Sequence, residues 1–114
     1  MGADPNARDN NNDTALHLAS QNGHVQVAER LLGRGADPNA RNNNNTTSLH
    51  LASEAGHLKV VWLLLRCRAD VNACDNENHE PFHLAWQSGH RHVIQALLEH
   101  RAIEEPLQSA AAVW

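Results

Sequence analysis

TSLHLASEAGHLKVVWLLL, at residues 47–65, decides the fold. Its apolar residues recur at helical spacing on both sides of Gly56, and Leu49 and Ala52 share one face before that break. The stretch therefore predicts two short helices joined as a hairpin. Helices this short are costly to nucleate, so most of their stability must come from packing against neighbours. We expect the partners of this hairpin elsewhere in the chain.

The chain repeats the hairpin at a fixed period. TALHLASQNGH begins at Thr14, 33 residues before Thr47, and EPFHLAWQSGH begins at Glu80, 33 residues after it. A period of this length indicates a solenoid, in which each unit completes its core with the next one. The predicted units span about residues 2–34, 35–67 and 68–100.

Several motifs in a fixed order carry a resemblance to a known family. Leu-His-Leu-Ala at residues 49–52 is followed by Gly-His at 56–57, a helix rich in Val and Leu, and Arg-Ala-Asp-Val-Asn-Ala at 68–73. This order resembles the ankyrin repeat. The resemblance implies an all-α solenoid of stacked helix-turn-helix units with β-hairpin-like loops.

The resemblance also sets the predicted domain. It covers about residues 2–105, so we predict an ankyrin repeat domain at 1–105. The pattern decays after His100, and residues 106–114 are predicted to be a C-terminal tail or a partial capping helix. Neither end carries an obvious polar capping unit, which solenoids need to shield their last apolar faces.

Capping residues set the predicted helix limits. Thr14 and Thr47 are expected to cap the first helix of their units, and Pro81 follows Glu80 at the corresponding point of the third unit. The second helices are predicted over about residues 24–33, 57–66 and 90–99. Left-handed backbone is predicted at the glycines that end the first helices and at the asparagines of the loop tips: Gly23, Gly56, Gly89, Asn12, Asn45 and Asn78.

Composition and charge exclude several classes of function. A length of 114 residues allows one domain. The net charge of −4 is spread along the chain, so we expect no nucleic acid partner. No apolar run approaches about 18 residues, so we expect no membrane partner. Cys67 and Cys74 make no disulfide framework, which favours the cytoplasm or the nucleus.

Catalysis has little support in the sequence. HEPFH at residues 79–83 matches the zinc-peptidase pattern by letter, but that pattern needs both histidines on one helix face. Pro81 marks the first helical position, so His79 is expected to lie outside the helix and to point elsewhere. We predict no enzyme activity, no metal and no cofactor.

Most histidines have a predicted structural role. The resemblance implies that the repeated histidines hydrogen-bond the Thr caps and the neighbouring loops. If they are buried and neutral, acidification should destabilise the fold. The six histidines that the repeat places are His17, His24, His50, His57, His83 and His90.

Protein recognition is the predicted function, as an adaptor or scaffold. The resemblance implies binding of a partner protein, of unknown identity, on a concave face made from loop tips and the open side of each first helix. The tip residues are Arg8, Asn10, Asn11, Asp13, Arg41, Asn43, Asn44, Thr46, Cys74, Asn76, Glu77 and His79. The helix residues are Gln21, Asn22, Glu54, Trp86 and Gln87, with Ser20 and Ser53 in the register of Trp86.

Alternatives remain open for this function and its residues. The chain is alternatively a structural segment of a larger repeat protein, or a module that associates with itself through its uncapped ends. Trp86 is either an anchor for a partner or a cover for Phe82 or the tail. Substituting Trp86 or Arg41 is expected to spare folding. The asparagines of the tips are equally explained as turn residues without contacts.

One modification is also predicted. Asn72, after Asp70 and Val71, resembles the asparagines that are hydroxylated in ankyrin proteins. Its alternative role is a hydrogen bond within the linker turns.

Overall fold

The computed structural model describes residues 4–104, with side chains as far as Arg101. It contains six α-helices in this range and no strand. The helices are α1 (Ala15–Asn22), α2 (Val25–Gly33), α3 (Ser48–Ala55), α4 (Leu58–Arg66), α5 (Pro81–Ser88) and α6 (Arg91–Glu104). None of these helices has the length and apolar character needed to span a membrane. The predicted all-α architecture is confirmed.

The predicted caps form as the sequence indicates. The Thr14 hydroxyl accepts a hydrogen bond from the His17 amide, and the Thr14 amide donates to Nδ1 of His17. Thr47 and His50 repeat this pair of bonds at α3. The predicted left-handed residues are also confirmed, with φ between 59° and 80° at Asn12, Gly23, Asn45, Gly56, Asn78 and Gly89. Capping therefore fixes where each first helix begins and ends.

The helices pack into two parallel rows. One row is α1, α3 and α5, the other is α2, α4 and α6, and each helix contacts its hairpin partner and its neighbours in the row. The molecule measures 53 × 26 × 20 Å. One apolar cluster runs along the seam between the rows and includes Leu16, Leu49, Leu64 and Leu97, which are almost fully buried. The predicted stack of hairpins is therefore present.

The end of α6 corrects the sequence prediction. The first two units leave their second helix through a left-handed residue, Gly35 with a φ of 97° and Arg68 with a φ of 69°. The corresponding residue of the third unit, Arg101, stays helical and lies 2.7 Å from Glu80 in an ion pair. The helix consequently continues to Glu104 instead of ending near residue 99. The tail or capping helix predicted at 106–114 lies outside the described residues.

Candidate functional site

A groove of about 480 Å³ lies between the loop tips and the first helices of the second and third units. We call it the tip groove. Its lining residues are Asn42, Asn44, Thr46, Leu51, Glu54, Asp75, Asn76, Glu77, His79, Leu84 and Gln87. The two helices that contribute to it, α3 and α5, are adjacent in the stack.

Two leucines in the same register give the tip groove its apolar surface. Leu51 of α3 is half-buried and Leu84 of α5 is buried. Leu51 is the second leucine of the Leu-His-Leu-Ala motif in its unit, and Leu84 has the equivalent position in Phe-His-Leu-Ala of the third unit. Each follows a histidine. The sequence prediction missed both, although their period of 33 residues was the available signal.

Asx turns hold the loop tips that line the tip groove. Oδ1 of Asn42 accepts hydrogen bonds from the amides of Asn44 and Thr46, at 2.9 and 3.0 Å. Oδ1 of Asp75 accepts from the amides of Glu77 and His79, at 2.9 and 2.8 Å. These side chains satisfy backbone donors that a tight turn leaves unpaired. Asn42 and Asp75 were also missed by the sequence prediction, and they line the groove as well.

Arginines join each loop to the next one. Nη1 of Arg8 donates to the carbonyl oxygen of Arg41 at 2.7 Å. Nη1 of Arg41 in turn donates to the carbonyl oxygen of Cys74 at 2.9 Å. A guanidinium that is held by a backbone carbonyl of the neighbouring unit is a structural tie. The role of these two predicted partner-binding residues is therefore partly internal.

Asparagines form a second set of ties between the tips. Nδ2 of Asn12 donates to Oδ1 of Asn43 at 2.8 Å, and Nδ2 of Asn45 donates to Oδ1 of Asn76 at 2.9 Å. The backbone amide of Asn76 also donates to the carbonyl oxygen of Asn44 at 2.9 Å. The tip asparagines thus do more than fill turns, because they fix the spacing of successive loops.

The charged groups of the tip groove are mainly acidic. Glu54, Asp75 and Glu77 each bring a carboxylate to its lining. His79 is the one titratable base among the lining residues, and its Nδ1 lies 3.9 Å from Oδ2 of Asp75. Three carboxylates beside a single imidazole favour cationic and hydrogen-bond-donating groups in the groove.

The tip groove brings together part of the predicted partner-binding set. The predicted residues that line it are Asn44, Thr46, Glu54, Asn76, Glu77, His79 and Gln87. The predicted residues that do not line it are Arg8, Asn10, Asn11, Asp13, Gln21, Asn22, Arg41, Asn43, Cys74 and Trp86. Most of this second group are exposed, with Asp13 and Cys74 half-buried. Binding by either group stays a prediction.

The register of Trp86 corrects its predicted position. Ser20 and Ser53 occupy the same register and are fully buried, so this register does not face an open side of the stack. The Trp86 side chain is 67% exposed, and its ring stacks on Phe82 with centroids 6.1 Å apart. Trp86 therefore covers Phe82 and still presents most of its surface to solvent.

Asn72 differs from the other linker asparagines. Oδ1 of Asn39 accepts from the amide of Asp70 at 2.6 Å, and its Nδ2 donates to the carbonyl oxygen of Arg68. Asn6 makes the equivalent pair of bonds to Asp37 and Gly35, in the linker one unit later. The side chain of Asn72 is exposed and makes no hydrogen bond to the described residues. Its modification stays a prediction.

The geometry around Pro81 corrects one detail of the zinc argument. Pro81 is the first residue of α5, as predicted, but the His79 ring does not point away from His83. The two ring centroids lie 6.1 Å apart. Within residues 4–101, whose side chains are described, no three His, Cys, Asp or Glu residues form a group suited to a metal ion.

Comparison with known proteins gave one family. The family model described as ankyrin repeats (3 copies) matches residues 1–75 and 49–112. The search of curated proteins gave no match.

Proposed function

This chain belongs to the ankyrin-repeat family, and we propose that it is a non-catalytic module that binds a partner protein in the tip groove. Ankyrin repeats are generally protein–protein interaction modules. An adaptor or scaffold role follows if the bound partner is held while other surfaces of the stack stay free. The described hydroxyl–imidazole contacts, of Thr14 with His17 and of Thr47 with His50, are buried helix caps and lend no support to an enzyme.

The observation that carries the proposal is the composition of the tip groove. Its walls come from tips and helices of two units, and its lining differs between those units at equivalent positions, such as Asn44 and Glu77 or Glu54 and Gln87. The hydrogen bonds within and between the tips hold the tip backbones in place before any partner arrives. A preorganised backbone loses less conformational entropy on binding, which favours affinity.

The lining also supports a class of partner. Three carboxylates surround a surface that includes Leu51 and Leu84, and the amides of Asn44 and Asn76 stand beside them. A segment that carries Lys or Arg next to an apolar side chain would pair with the carboxylates and cover the leucines. We propose a basic, partly apolar segment of another protein as the ligand.

Two groove variants and one matched control test the function. Glu54→Lys and Glu77→Lys reverse charge inside the tip groove, while Glu29→Lys makes the same change at an exposed position of α2. Circular dichroism would establish that all three forms fold. Proteins captured from a lysate by the unmodified chain are expected to be retained by Glu29→Lys and lost by both groove variants. Equal capture by all four forms would reject the tip groove as the binding site.

A random peptide library tests the chemistry of the partner. Selection on the unmodified chain should enrich Lys or Arg beside an apolar residue, and Glu54→Gln with Glu77→Gln should abolish that enrichment. The form with Glu29→Gln should select the same peptides as the unmodified chain. Selection of acidic peptides, or of the same peptides by every form, would exclude a basic ligand at this site.

A reducing compartment is part of the proposal. Cys67 and Cys74 are free and half-buried, and neither is bonded to the other. Free thiols of this kind persist in the cytoplasm and the nucleus, where we propose that the chain acts.

A further inference from the structure

Each internal junction between units uses one histidine and one glycine. The ring of His57 lies over Gly23 so closely that a Cβ built on the glycine would be 2.6 Å from Nδ1. Nε2 of the same ring donates to the carbonyl oxygen of Gln21 at 3.0 Å. His90 makes the same two contacts with Gly56 and with the carbonyl oxygen of Glu54. A following unit therefore inserts its histidine into a site that the preceding unit supplies.

The first unit presents the inserting half of this junction to solvent. We call this surface the leading face and define it by His24, the counterpart of His57 and His90, and by Val27. His24 is exposed, and Val27 is 49% exposed. The residues in the register of Val27, which are Val60 and Val93, are buried to within 1%. The leading face thus carries the side chains that the internal junctions bury.

The third unit presents the accepting half. We call this surface the trailing face and define it by His83, Trp86, Gln87 and Gly89. A Cβ built on Gly89 would meet none of the described residues within 4 Å, although Gly89 has the same left-handed backbone as Gly23 and Gly56. Among the described residues, no side chain donates to the Gln87 carbonyl, the counterpart of the acceptors at Gln21 and Glu54.

Histidines in one register show that this surface is where a following unit packs. His17 and His50 are fully buried, whereas His83, in the same register of the third unit, is exposed. Because the residue type is identical, the difference comes from the unit that follows the first and second hairpins. The trailing face is therefore the surface that a further unit would cover.

Trp86 does not fit under such a unit. The two internal junctions enclose only a serine in this register, Ser20 or Ser53, and leave it no exposed surface. An indole is far larger than a hydroxymethyl group, and overpacking of a well-filled interface is destabilising. The rest of the accepting half matches the internal junctions. Gly89 has the left-handed backbone of Gly23 and Gly56, and Gln87 lies in the register of the two carbonyl acceptors.

We propose that the two ends of the stack are complementary docking faces for a second copy of this chain, and that Trp86 keeps copies from joining through them. A second copy is the expected partner because the two faces would repeat the internal junctions. The leading face of one copy offers His24, and the trailing face of another offers Gly89 and the Gln87 carbonyl that would receive it. A head-to-tail contact of this kind does not close on itself and generates open chains of molecules. Trp86 accordingly protects the monomer. This inference concerns the ends of the stack, which share only Gln87 with the tip groove.

Replacing Trp86 in the full chain tests the proposal. Trp86→Ser restores the residue of the internal junctions, and sedimentation equilibrium should show a mass that rises with concentration through dimer and higher species. The unmodified chain should remain monomeric over the same concentrations. Trp86→Phe keeps a large ring in this register and should also remain monomeric. Circular dichroism would confirm that each form is folded.

A second variant shows which contact joins the copies. Gly89→Ala in the Trp86→Ser background places a Cβ where the His24 ring of the next copy would lie. Self-association of this double variant should therefore be lost or strongly weakened. A monomeric Trp86→Ser form would overturn the proposal, and so would an unmodified chain that forms the same oligomers. Equal association of the Trp86→Ser forms with and without Gly89→Ala would also overturn it, because the contact would then lie elsewhere.

Discussion

Nε2 of His50 lies 2.7 Å from the carbonyl oxygen of His79, so a fully buried side chain of the second unit holds the loop tip of the third. Nδ1 of the same ring accepts a hydrogen bond from the Thr47 amide at 3.2 Å. An imidazole that donates from one nitrogen and accepts at the other is neutral. The cap of α3 therefore depends on the neutral form of His50, whereas the bond to the His79 carbonyl keeps its donor in either form.

The stability of the fold should fall as the pH drops through 6.5. Burial lowers the pKa of His50 from its ordinary value of 6.5, against the opposing effects of the His79 carbonyl and Asp75. Below pH 6.5 the unfolded chain binds a proton at this residue before the folded chain does, so the free energy of unfolding decreases. This loss stops once the pH is below the folded pKa. Urea unfolding from about pH 8 to about pH 5 measures it.

Two histidine variants isolate the contribution of His50. His50→Gln removes the titrating group and should flatten this part of the pH dependence, while lowering stability at every pH. His92→Gln removes an exposed histidine of α6 and should leave the profile unchanged. An unaltered pH profile in the His50→Gln form would show that another group is responsible.

Arg41 should contribute to stability, contrary to the expectation from the sequence. Its guanidinium joins the second loop to the third through the Cys74 carbonyl. Arg41→Ala removes this bond, and a loss of about 1 kcal/mol in the free energy of unfolding is expected for an exposed hydrogen bond. Arg30→Ala, on the exposed side of α2, is the matched control. Denaturant titrations that gave both variants the same stability would show that the tie is energetically neutral.

The sequence predicted the local structure because its signals are local. Thr47 caps a helix, Gly56 ends it and Asn45 turns the loop through interactions within a few residues of each one. The period then implied the stack, since a hairpin that cannot bury its own apolar face must pack against its copies. The all-α repeat fold was accordingly predictable.

The contacts between units were harder to predict. Whether Ser53 faces solvent or the next unit depends on the rotation of its helix relative to the stack, which the period does not specify. The same limit applies to Arg41, whose backbone acceptor at Cys74 lies 33 residues away. The acidic lining of the tip groove likewise appears only when α3, which carries Glu54, lies beside the third tip, which carries Asp75 and Glu77.

Ser53→Ala should stabilise the protein. The Ser53 hydroxyl is fully buried and has no hydrogen-bond partner in the part of the chain that the structure describes, and an unsatisfied buried polar group costs about 1–3 kcal/mol. Alanine removes the hydroxyl and also has the higher helix propensity. Ser88→Ala, at the exposed end of α5, provides a helical control for the propensity alone. Thermal unfolding should show a larger rise in Tm for Ser53→Ala than for Ser88→Ala, and equal shifts would mean that the Ser53 hydroxyl is satisfied.

Gly56→Ala and Gly89→Ala should separate backbone strain from packing at the junctions. Both glycines are left-handed, with φ of 80° and 75°, so alanine should cost about 1–2 kcal/mol at either position. Only at Gly56 does the new Cβ meet a neighbour, the His90 ring at 2.6 Å, and such overpacking adds about 1–3 kcal/mol. In denaturant titrations, Gly56→Ala should therefore lose more free energy of unfolding than Gly89→Ala, by about the 1–3 kcal/mol of the packing clash. Equal losses would indicate that His90 moves aside freely, and the histidine–glycine contact would then contribute little to the cohesion of the stack.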